Sequence, residues 1–284
     1  MEVGITTTCS DFSVDAATVS RMVEDAGIPL LCFGEHTHIP ASRETPYPGG
    51  SNSGSGDLPP GYERSIDLFV TLTVAALATK QLKIGTGILQ VVQRDPIVTA
   101  KAVASVDLVS GGRFIPITGS SWNLEEMRNH GTDPATRYEL LEERVLAMRE
   151  IWANDEATFH GEFVNFDRIW SWPKPIQNPM PIYIGGNSAG AEDRALRAGT
   201  GWSSLHAPGM PDRVAAYLER AAAEGIETSV AAVGGPATAE LIEAYAQAGA
   251  KYWLFSVPMS NDVADYERGI EELVAANAEF AGSS

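Results

Sequence analysis

A carboxylate and a histidine stand side by side directly after a short apolar segment. The segment is Leu30–Phe33, and Gly34-Glu35-His36-Thr37-His38 follows it. Because a free histidine titrates near neutral pH, His36 is a candidate proton donor or acceptor, with Glu35 as its neighbour. Two alternatives stay open: His36 and His38 could be metal ligands, or both could be ordinary polar loop residues. A metal site would need further ligands at later strand ends, and of the remaining histidines only His206 is placed near one; the others are His130 and His160.

Two glycine-containing turns could hold a bound molecule. Gly85-Thr86-Gly87 ends a strand-like run, and glycine lets the backbone turn sharply and approach a ligand closely. Gly185-Gly186-Asn187-Ser188 stands before a helical pattern, where free backbone amides and the helix dipole favour an anion such as a phosphate. The same four residues could equally serve only to start the helix, so the pattern by itself leaves phosphate binding open.

Strands and helices that alternate along the chain must bring these residues together. Apolar runs predict strands near residues 3, 30, 82, 113, 182, 201, 228 and 252, alternating with helical patterns. Eight such units predict a (β/α)8 barrel, a TIM barrel with insertions, and a doubly wound sheet is the structural alternative. Because the carboxyl ends of the strands carry the site of such a barrel, one rim should hold Glu35, His36, 85–88, 119–122 and 185–188.

The chain shows no break in composition, which predicts a single domain over residues 1–284. Two segments interrupt the alternating pattern. Residues 40–61 are rich in proline, glycine and serine, and a stretch of this length predicts either a lid over a site or disorder. Residues 154–180 carry aromatic, glycine and proline residues in place of a strand–helix unit, so we interpret them as an insertion.

Charge and cysteine content restrict the class of protein. A formal net charge of −17 and a pI near 4.6 argue against binding to nucleic acid or to an anionic membrane, because the summed field would repel both. No apolar run reaches the roughly 18 residues of a membrane span, and the first residues lack the pattern of a secretory signal. Cys9 and Cys32 lie in or near apolar runs, which indicates buried free thiols. These features predict a cytoplasmic protein whose partner is a small molecule.

Three stretches of the sequence together resemble one known family. They read GTGILQVVQRDPIVTAKAVASVDLVSGGRF, SWNLEEMRNHG and FHGEFVNFDRIWSWPKPIQNPMPIYIGGNS. They are similar to the luciferase-like monooxygenase superfamily, and within it to the branch that uses the deazaflavin coenzyme F420, whereas other members use FMN. The resemblance implies a (β/α)8 barrel that holds the coenzyme ring in its mouth, and a homodimer as in many members.

The resemblance also implies roles for the residues singled out above. It implies a cis peptide bond between Gly87 and Ile88 at a bulge behind the ring. Glu35 and His36 match an acidic residue and a histidine near the ring, so His36 is expected to donate or accept the proton and Glu35 to orient it or contact the coenzyme. The expected coenzyme-binding residues are Glu35, Thr86, Gly87, Ile88, Gly119 and, on the phosphate side, Gly185, Gly186, Asn187 and Ser188.

The sequence departs from this family after the predicted fourth strand. Relatives carry a run of the GVGAGWN type, whereas this chain reads Ile117-Thr118-Gly119-Ser120-Ser121-Trp122-Asn123 and keeps only Gly119 of those glycines. Relatives that oxidise sugar phosphates have a glutamate where Trp122 stands. We therefore expect that activity to be absent, and Trp122 to shape a pocket for an apolar or planar substrate.

Sequence and resemblance together predict an oxidoreductase that transfers a hydride between coenzyme F420 and an unidentified small organic substrate. The nearest alternative is an FMN-dependent luciferase-like monooxygenase. A metal-dependent barrel hydrolase is an alternative from another class. A barrel that has lost catalysis and only binds coenzyme or a partner is the alternative that the altered 117–122 loop suggests.

Overall fold

The computed structural model describes residues 1–48 and 56–283. The strands are β1 (Glu2–Thr7), β2 (Leu30–Phe33), β3 (Lys83–Thr86), β4 (Phe114–Ile115), β5 (Ile117–Thr118), β6 (Ala157–His160), β7 (Asn165–Ile169), β8 (Tyr183–Gly185), β9 (Gly201–Leu205), β10 (Val230–Val233) and β11 (Tyr252–Ser256). The α-helices are α1 (Ala16–Asp25), α2 (Leu68–Ala78), α3 (Pro96–Ser110), α4 (Leu124–Asn129), α5 (Arg137–Ala153), α6 (Ala191–Ala198), α7 (Met210–Ala223), α8 (Ala239–Gln247) and α9 (Val263–Ser283).

Nine strand segments form one parallel sheet in the order β4-β3-β2-β1-β11-β10-β9-β8-β5. The two segments at the ends of that order, β4 and β5, are halves of one strand on either side of Pro116, so the sheet closes on itself as an eight-stranded barrel. The predicted (β/α)8 barrel is therefore confirmed, and all eight strands lie where the sequence placed them.

The fourth barrel strand is divided because proline has no N–H with which to complete the ladder. Phe114 and Ile115 pair with β3, and Ile117 and Thr118 pair with β8. Beyond Pro116, the hydroxyl of Thr86 joins β3 to β5: it donates to the Ile117 carbonyl at 2.6 Å and accepts from the Ile117 amide at 2.7 Å. The Thr86 side chain thus serves barrel closure.

Helix boundaries follow the local signals in the sequence. Asp95 accepts a hydrogen bond from the amide of Val98 at the start of α3, and Pro96 occupies the first turn. The helix ends at Ser110, and Gly111 follows with φ of +69°, a left-handed conformation that favours glycine. Both ends of α3 therefore coincide with a residue type that favours them.

The core has two layers, as expected for a sheet covered by helices. One layer fills the barrel, where Leu30, Cys32, Tyr183, Tyr252 and Leu254 are prominent, and the other lies between the barrel and the helices. Cys9 and Cys32 are buried free thiols, which confirms the prediction. Burial raises the pKa of Cys9 to about 12, so this thiol is not a nucleophile at neutral pH.

Two long segments leave the barrel pattern. Strands β6 and β7 form an antiparallel hairpin inside the predicted 154–180 insertion, and Asp107 holds the end of this segment by accepting from the amides of Ile176 and Gln177. Of the predicted 40–61 lid, residues 49–55 lie outside the described residues. In the described part of the chain no helix is long and apolar enough to cross a membrane.

Candidate active site

The carboxyl ends of β2, β3, β5 and β8 meet at one rim because the strands are parallel neighbours. The loop after β3 carries a cis peptide bond between Gly87 and Ile88, which confirms that prediction. Ile88 and Val233 are half-buried and pack on the apolar interior of the barrel. Gly119 lies against Ile88, since a Cβ at Gly119 would stand 2.3 Å from the Ile88 Cδ1. The floor of the barrel mouth is therefore apolar, and the backbone beside it at Gly119 is not covered by a side chain.

His36 lies at this rim with both ring nitrogens in hydrogen bonds. Nδ1 is 2.7 Å from a carboxylate oxygen of Glu126, and Nε2 is 3.0 Å from the Tyr62 hydroxyl and 3.3 Å from the Trp122 indole nitrogen. Because a carboxylate can only accept, Nδ1 carries a proton, and in the neutral ring Nε2 is the acceptor. Only 8% of His36 is exposed. This arrangement can hold a proton and pass it on.

Glu126 is the carboxylate that contacts His36, and it was not among the predicted site residues. It is fully buried in α4 and also accepts from the Thr37 amide at 3.1 Å. Burial would raise the pKa of Glu126, but hydrogen bonds and the charge of His36 outweigh burial and bring this pKa below its usual value. The sequence carried one signal: Asn123 with a glutamate three residues later is typical of a helix start, and Asn123 does accept from the Glu126 amide.

Glu35 turns to Arg94 instead of His36. Its carboxylate accepts from Arg94 Nε at 3.1 Å and from the backbone amide of Gln90 at 2.7 Å. The Gln90 side chain in turn donates to the Glu35 carbonyl at 2.6 Å. Burial acts to lower the pKa of Arg94, but the Glu35 carboxylate outweighs burial and raises it. The geometry thus makes Glu35 a link between the loops after β2 and β3.

Aromatic side chains enclose His36 on the side of the predicted lid. The Tyr62 ring lies 5.0 Å from His36 and 5.0 Å from Tyr47, and Trp122 lies 5.7 Å from His36. Tyr47 also contacts Trp122 at 5.6 Å, so a described part of the 40–61 segment covers this group. Tyr47 and Tyr62 were not predicted, although tyrosines within a polar proline–glycine stretch are a usable signal of packing.

A second group of polar side chains lies behind the first. Ligand atoms of His38, Glu126 and His130 fall within 4.8 Å of one another and could hold a metal ion. The Thr37 hydroxyl lies among them, 2.6 Å from His130 and 3.0 Å from His38. His206 directly follows β9, at a strand end as expected from the sequence, but its ring bonds to Tyr245 and it is not a member of this group. The loop after β5 extends into α4, which is what brings His130 here.

The loop after β8 lies beside a pair of arginines. Asn187 binds the backbone of Leu205 with both ends of its amide, whereas Ser188 accepts from Arg194 at 3.1 Å. The guanidinium groups of Arg194 and Arg137 lie on the Tyr138 ring, each 4.3 Å from its centroid. Burial acts to raise the pKa of Tyr138, but a hydrogen bond with Ser188 and the arginine charges lower it. This loop is therefore electropositive.

Most predicted residues lie at the same rim, in different environments. The Thr86 hydroxyl serves β5, and the Asn187 amide serves β9, so neither side chain is free to bind a ligand in this structure. The backbone at Gly87, Ile88, Gly119, Gly185 and Gly186 borders the mouth or its electropositive side. The roles assigned to these residues stay predictions.

Comparison with known proteins agrees with this geometry. A sequence model described as luciferase-like monooxygenase matches residues 14–280. An uncharacterized protein of Mycobacterium tuberculosis (strain H37Rv) is 35% identical over 206 residues, 71% of each chain. An F420-dependent glucose-6-phosphate dehydrogenase of Kineococcus radiotolerans is 32% identical over 163 residues, 56% of this chain and 48% of that protein.

Two further comparisons bear on the cofactor and the fold. An FMNH(2)-dependent dimethylsulfone monooxygenase of Pseudomonas putida is 38% identical over 133 residues, 45% of this chain and 36% of that protein. Among solved structures, an F420-dependent secondary alcohol dehydrogenase in complex with an F420-acetone adduct superposes with a TM-score of 0.75 at 18% identity, covering 98% of each chain. At that identity the superposition bears on the fold alone.

Proposed function

We propose that this chain, which belongs to the luciferase-like monooxygenase family, is an oxidoreductase that exchanges a hydride between coenzyme F420 and a small organic substrate. The observation that carries the proposal is the buried pair of His36 and Glu126 at the edge of an apolar barrel mouth. A hydride transfer to or from a polar double bond needs a proton partner, and this pair can hold one. The F420-dependent relative supports the choice of coenzyme.

The mouth fits a planar ring. Ile88 and Val233 form an apolar floor, and glycines at 34, 87 and 119 leave the backbone bare around it. A Cβ at Gly34 would lie 3.2 Å from the Gly87 carbonyl, so these two loops already approach as closely as glycine allows. We expect the ring to lie on this floor, with the substrate between it and the aromatic group of Tyr47, Tyr62 and Trp122.

The electropositive side of the mouth fits the phosphate of the coenzyme. Arg194 is 8% exposed, and its Nε has no hydrogen-bond partner among the described residues. A buried donor of this kind is costly unless an acceptor reaches it, and a phosphate oxygen is a good acceptor. Ser188 and Arg137 stand beside it and would complete the anion site with the backbone of Gly185 and Gly186.

The side chains of the protein would supply or accept the proton that accompanies the hydride. The coenzyme, when bound, supplies or receives the hydride at a ring carbon. His36 holds the accompanying proton, and Glu126 stabilises the charged imidazole because its carboxylate stays ionised at neutral pH. Glu35 contributes by fixing the loop that carries His36. The aromatic group limits access of water to this proton.

Titration of the purified protein with F420 and with FMN, followed by quenching of coenzyme fluorescence, tests the proposal. Arg194→Met should weaken binding by about 10- to 100-fold, because hydrogen bonds to charged groups contribute about 1.5–3 kcal/mol. Arg197→Met is the matched control on the same helix, since Arg197 pairs with Glu142 away from the mouth. Failure of both coenzymes to bind would contradict the proposal and favour a barrel without catalysis.

FMN-dependent monooxygenation is the second candidate, and the similarity to the dimethylsulfone monooxygenase favours it. The same titration separates the two candidates, because the preferred coenzyme should bind at least tenfold more tightly. Analysis for stoichiometric metal separates both from a metal-dependent hydrolase. Preference for FMN, with oxygen consumption when reduced FMN is supplied, would replace the F420 proposal.

We also propose a homodimer formed through the outer surfaces of α2 and α3. Helix α2 is apolar on every side, and Val70, Leu77 and Val98 on the two helices are 57%, 73% and 67% exposed. A helix that is apolar all round is normally buried, so a second copy is the expected cover. Light scattering should show a dimer that Leu77→Glu dissociates, whereas Val274→Glu on α9 should leave it intact; a monomeric parent chain would contradict the proposal.

A further inference from the structure

Neither ring nitrogen of His36 is free to reach a molecule in the barrel mouth. Nδ1 is held by Glu126, and Nε2 faces both the Tyr62 hydroxyl and the Trp122 indole. Only 8% of the residue is exposed, so the ring is buried among these partners. Direct exchange of a proton between His36 and a substrate would therefore require the ring or its partners to move.

Tyr62 is the partner of His36 that can pass a proton onward. Its side chain is only partly buried, whereas that of His36 is 5% exposed, and its hydroxyl lies 3.0 Å from His36 Nε2. Burial raises the pKa of Tyr62, which keeps the hydroxyl protonated at neutral pH. A hydroxyl both donates and accepts, whereas the indole of Trp122 can only donate. Of the two groups on Nε2, only Tyr62 can thus relay a proton.

We propose that Tyr62 is a catalytic residue that exchanges the proton with the substrate, and that His36, held by Glu126, resupplies it. This inference rests on the proposed function, because it supplies the proton that accompanies the hydride. Glu126, His36 and Tyr62 then form one hydrogen-bonded chain from the buried interior to the barrel mouth. Within this hydrogen-bonded series, His36 and Glu126 position the Tyr62 hydroxyl and return a proton to it, and Tyr62 contacts the substrate.

The step balances for the reduction of a carbonyl compound. The carbonyl carbon would receive a hydride, and with it two electrons, from the reduced coenzyme, while the carbonyl oxygen takes the proton of the Tyr62 hydroxyl. The Tyr62 O–H bond breaks, and a new one forms with the proton from Nε2 of a doubly protonated His36. His36 ends neutral with its remaining proton on Nδ1, Glu126 stays a carboxylate, and the products are an alcohol and the oxidised coenzyme. Oxidation of an alcohol is the reverse.

Tyr62→Phe tests the proposal, since it removes one hydroxyl and keeps the ring. With reduced F420 and cyclohexanone as the carbonyl probe, we expect kcat to fall at least 100-fold while KM and coenzyme affinity change less than threefold, in line with general acid catalysis. The nitrogen NMR signal of His36 Nε2, assigned with His36→Asn, should also move in the coenzyme-free variant. Tyr217→Phe is the control, because it deletes a buried hydroxyl that bonds to Thr228 far from the mouth.

The possible outcomes separate this inference from the function on which it rests. If the parent chain reduces the probe and Tyr62→Phe keeps its kcat within twofold, Tyr62 is not the proton donor while the function stands. If the Nε2 signal is unchanged in Tyr62→Phe, the hydrogen bond on which the path depends is absent. If the parent chain binds coenzyme but kcat falls equally in Tyr217→Phe, the effect is structural and the inference is overturned.

Discussion

Replacing Glu35 by glutamine should destabilise the fold, because its carboxylate forms a buried ion pair with Arg94. The side chains of Glu35 and Arg94 are 3% and 18% exposed, and three nitrogen–oxygen contacts join them. Removing one partner of a buried pair costs about 3–5 kcal/mol. Arg94 keeps a second carboxylate, that of Asp67 at 3.6 Å, so we expect the lower end, about 3 kcal/mol.

A double-mutant cycle measures the pair directly. Glu35→Gln, Arg94→Met and the double variant are unfolded in urea and followed by tryptophan fluorescence. Because the second substitution removes a group that has already lost its partner, the double variant should be little less stable than either single one. The coupling free energy should then reach about 2–3 kcal/mol. Glu2→Gln is the control, since the Glu2–Lys83 pair is about one third exposed and should contribute at most about 1 kcal/mol.

Coenzyme titration of the same variants separates a structural role from a direct one. If Glu35 acts by holding the loop, Glu35→Gln and Arg94→Met should weaken coenzyme binding to a similar extent. A coupling below about 0.5 kcal/mol would refute the argument from burial. Loss of coenzyme affinity in Glu35→Gln alone, at unchanged stability, would instead support the contact with the coenzyme that the family resemblance implies.

Three further perturbations follow from the structure. Glu126→Gln should lower the free energy of unfolding by about 2 kcal/mol at pH 7. Because the pKa of Glu126 is below its ordinary value of 4.5 in the folded chain, this loss of stability should become smaller as the pH falls through the lowered pKa. A difference in stability between variant and parent that does not depend on pH would contradict this explanation. Asp107→Asn should lower the free energy of unfolding by about 1–3 kcal/mol and increase proteolysis of the 154–180 segment, because Asp107 binds the end of that segment. An unchanged rate of proteolysis would show that these hydrogen bonds do not hold the segment in place. Gly85→Ala should lower the melting temperature, because the new Cβ would stand 2.8 Å from the Ile115 carbonyl. Gly282→Ala is the control and should not lower it, because no atom lies near the position of its Cβ. Equal changes in melting temperature would show that the close contact is not the cause.

The barrel could be predicted from the sequence because its signals are local. Each strand is a short apolar run, and helix ends carry their own marks, such as Asp95 and Gly111 around α3. The same locality explains what was missed. The hairpin of β6 and β7 lies in an aromatic segment without clear alternation, and β6 also packs against α5, a contact that the segment's own residues do not reveal.

The site was only half predictable, because its partners are distant in sequence. His36 was found from its neighbours, but the carboxylate that holds it lies 90 residues away and the tyrosine on its other nitrogen 26 residues away. Glu35 had the right chemistry to accompany a histidine, yet Arg94 engages it from 59 residues away. Side-chain type indicates which groups could act together, and only the fold decides which ones do.

The division of the barrel strand at Pro116 is accompanied by hydrogen bonds between two neighbouring loops of the mouth, the loop after β3 and the loop after β5. Beyond Pro116 the chain bonds to the loop after β3: the Leu89 amide donates to the Ile117 carbonyl at 2.8 Å, and the Gly119 amide donates to the Leu89 carbonyl at 3.1 Å. A displacement of one loop would therefore break these bonds or displace the other loop as well. We therefore expect these two neighbouring loops to move together, and adaptation to substrates of different size to depend on segments outside them, such as residues 154–180.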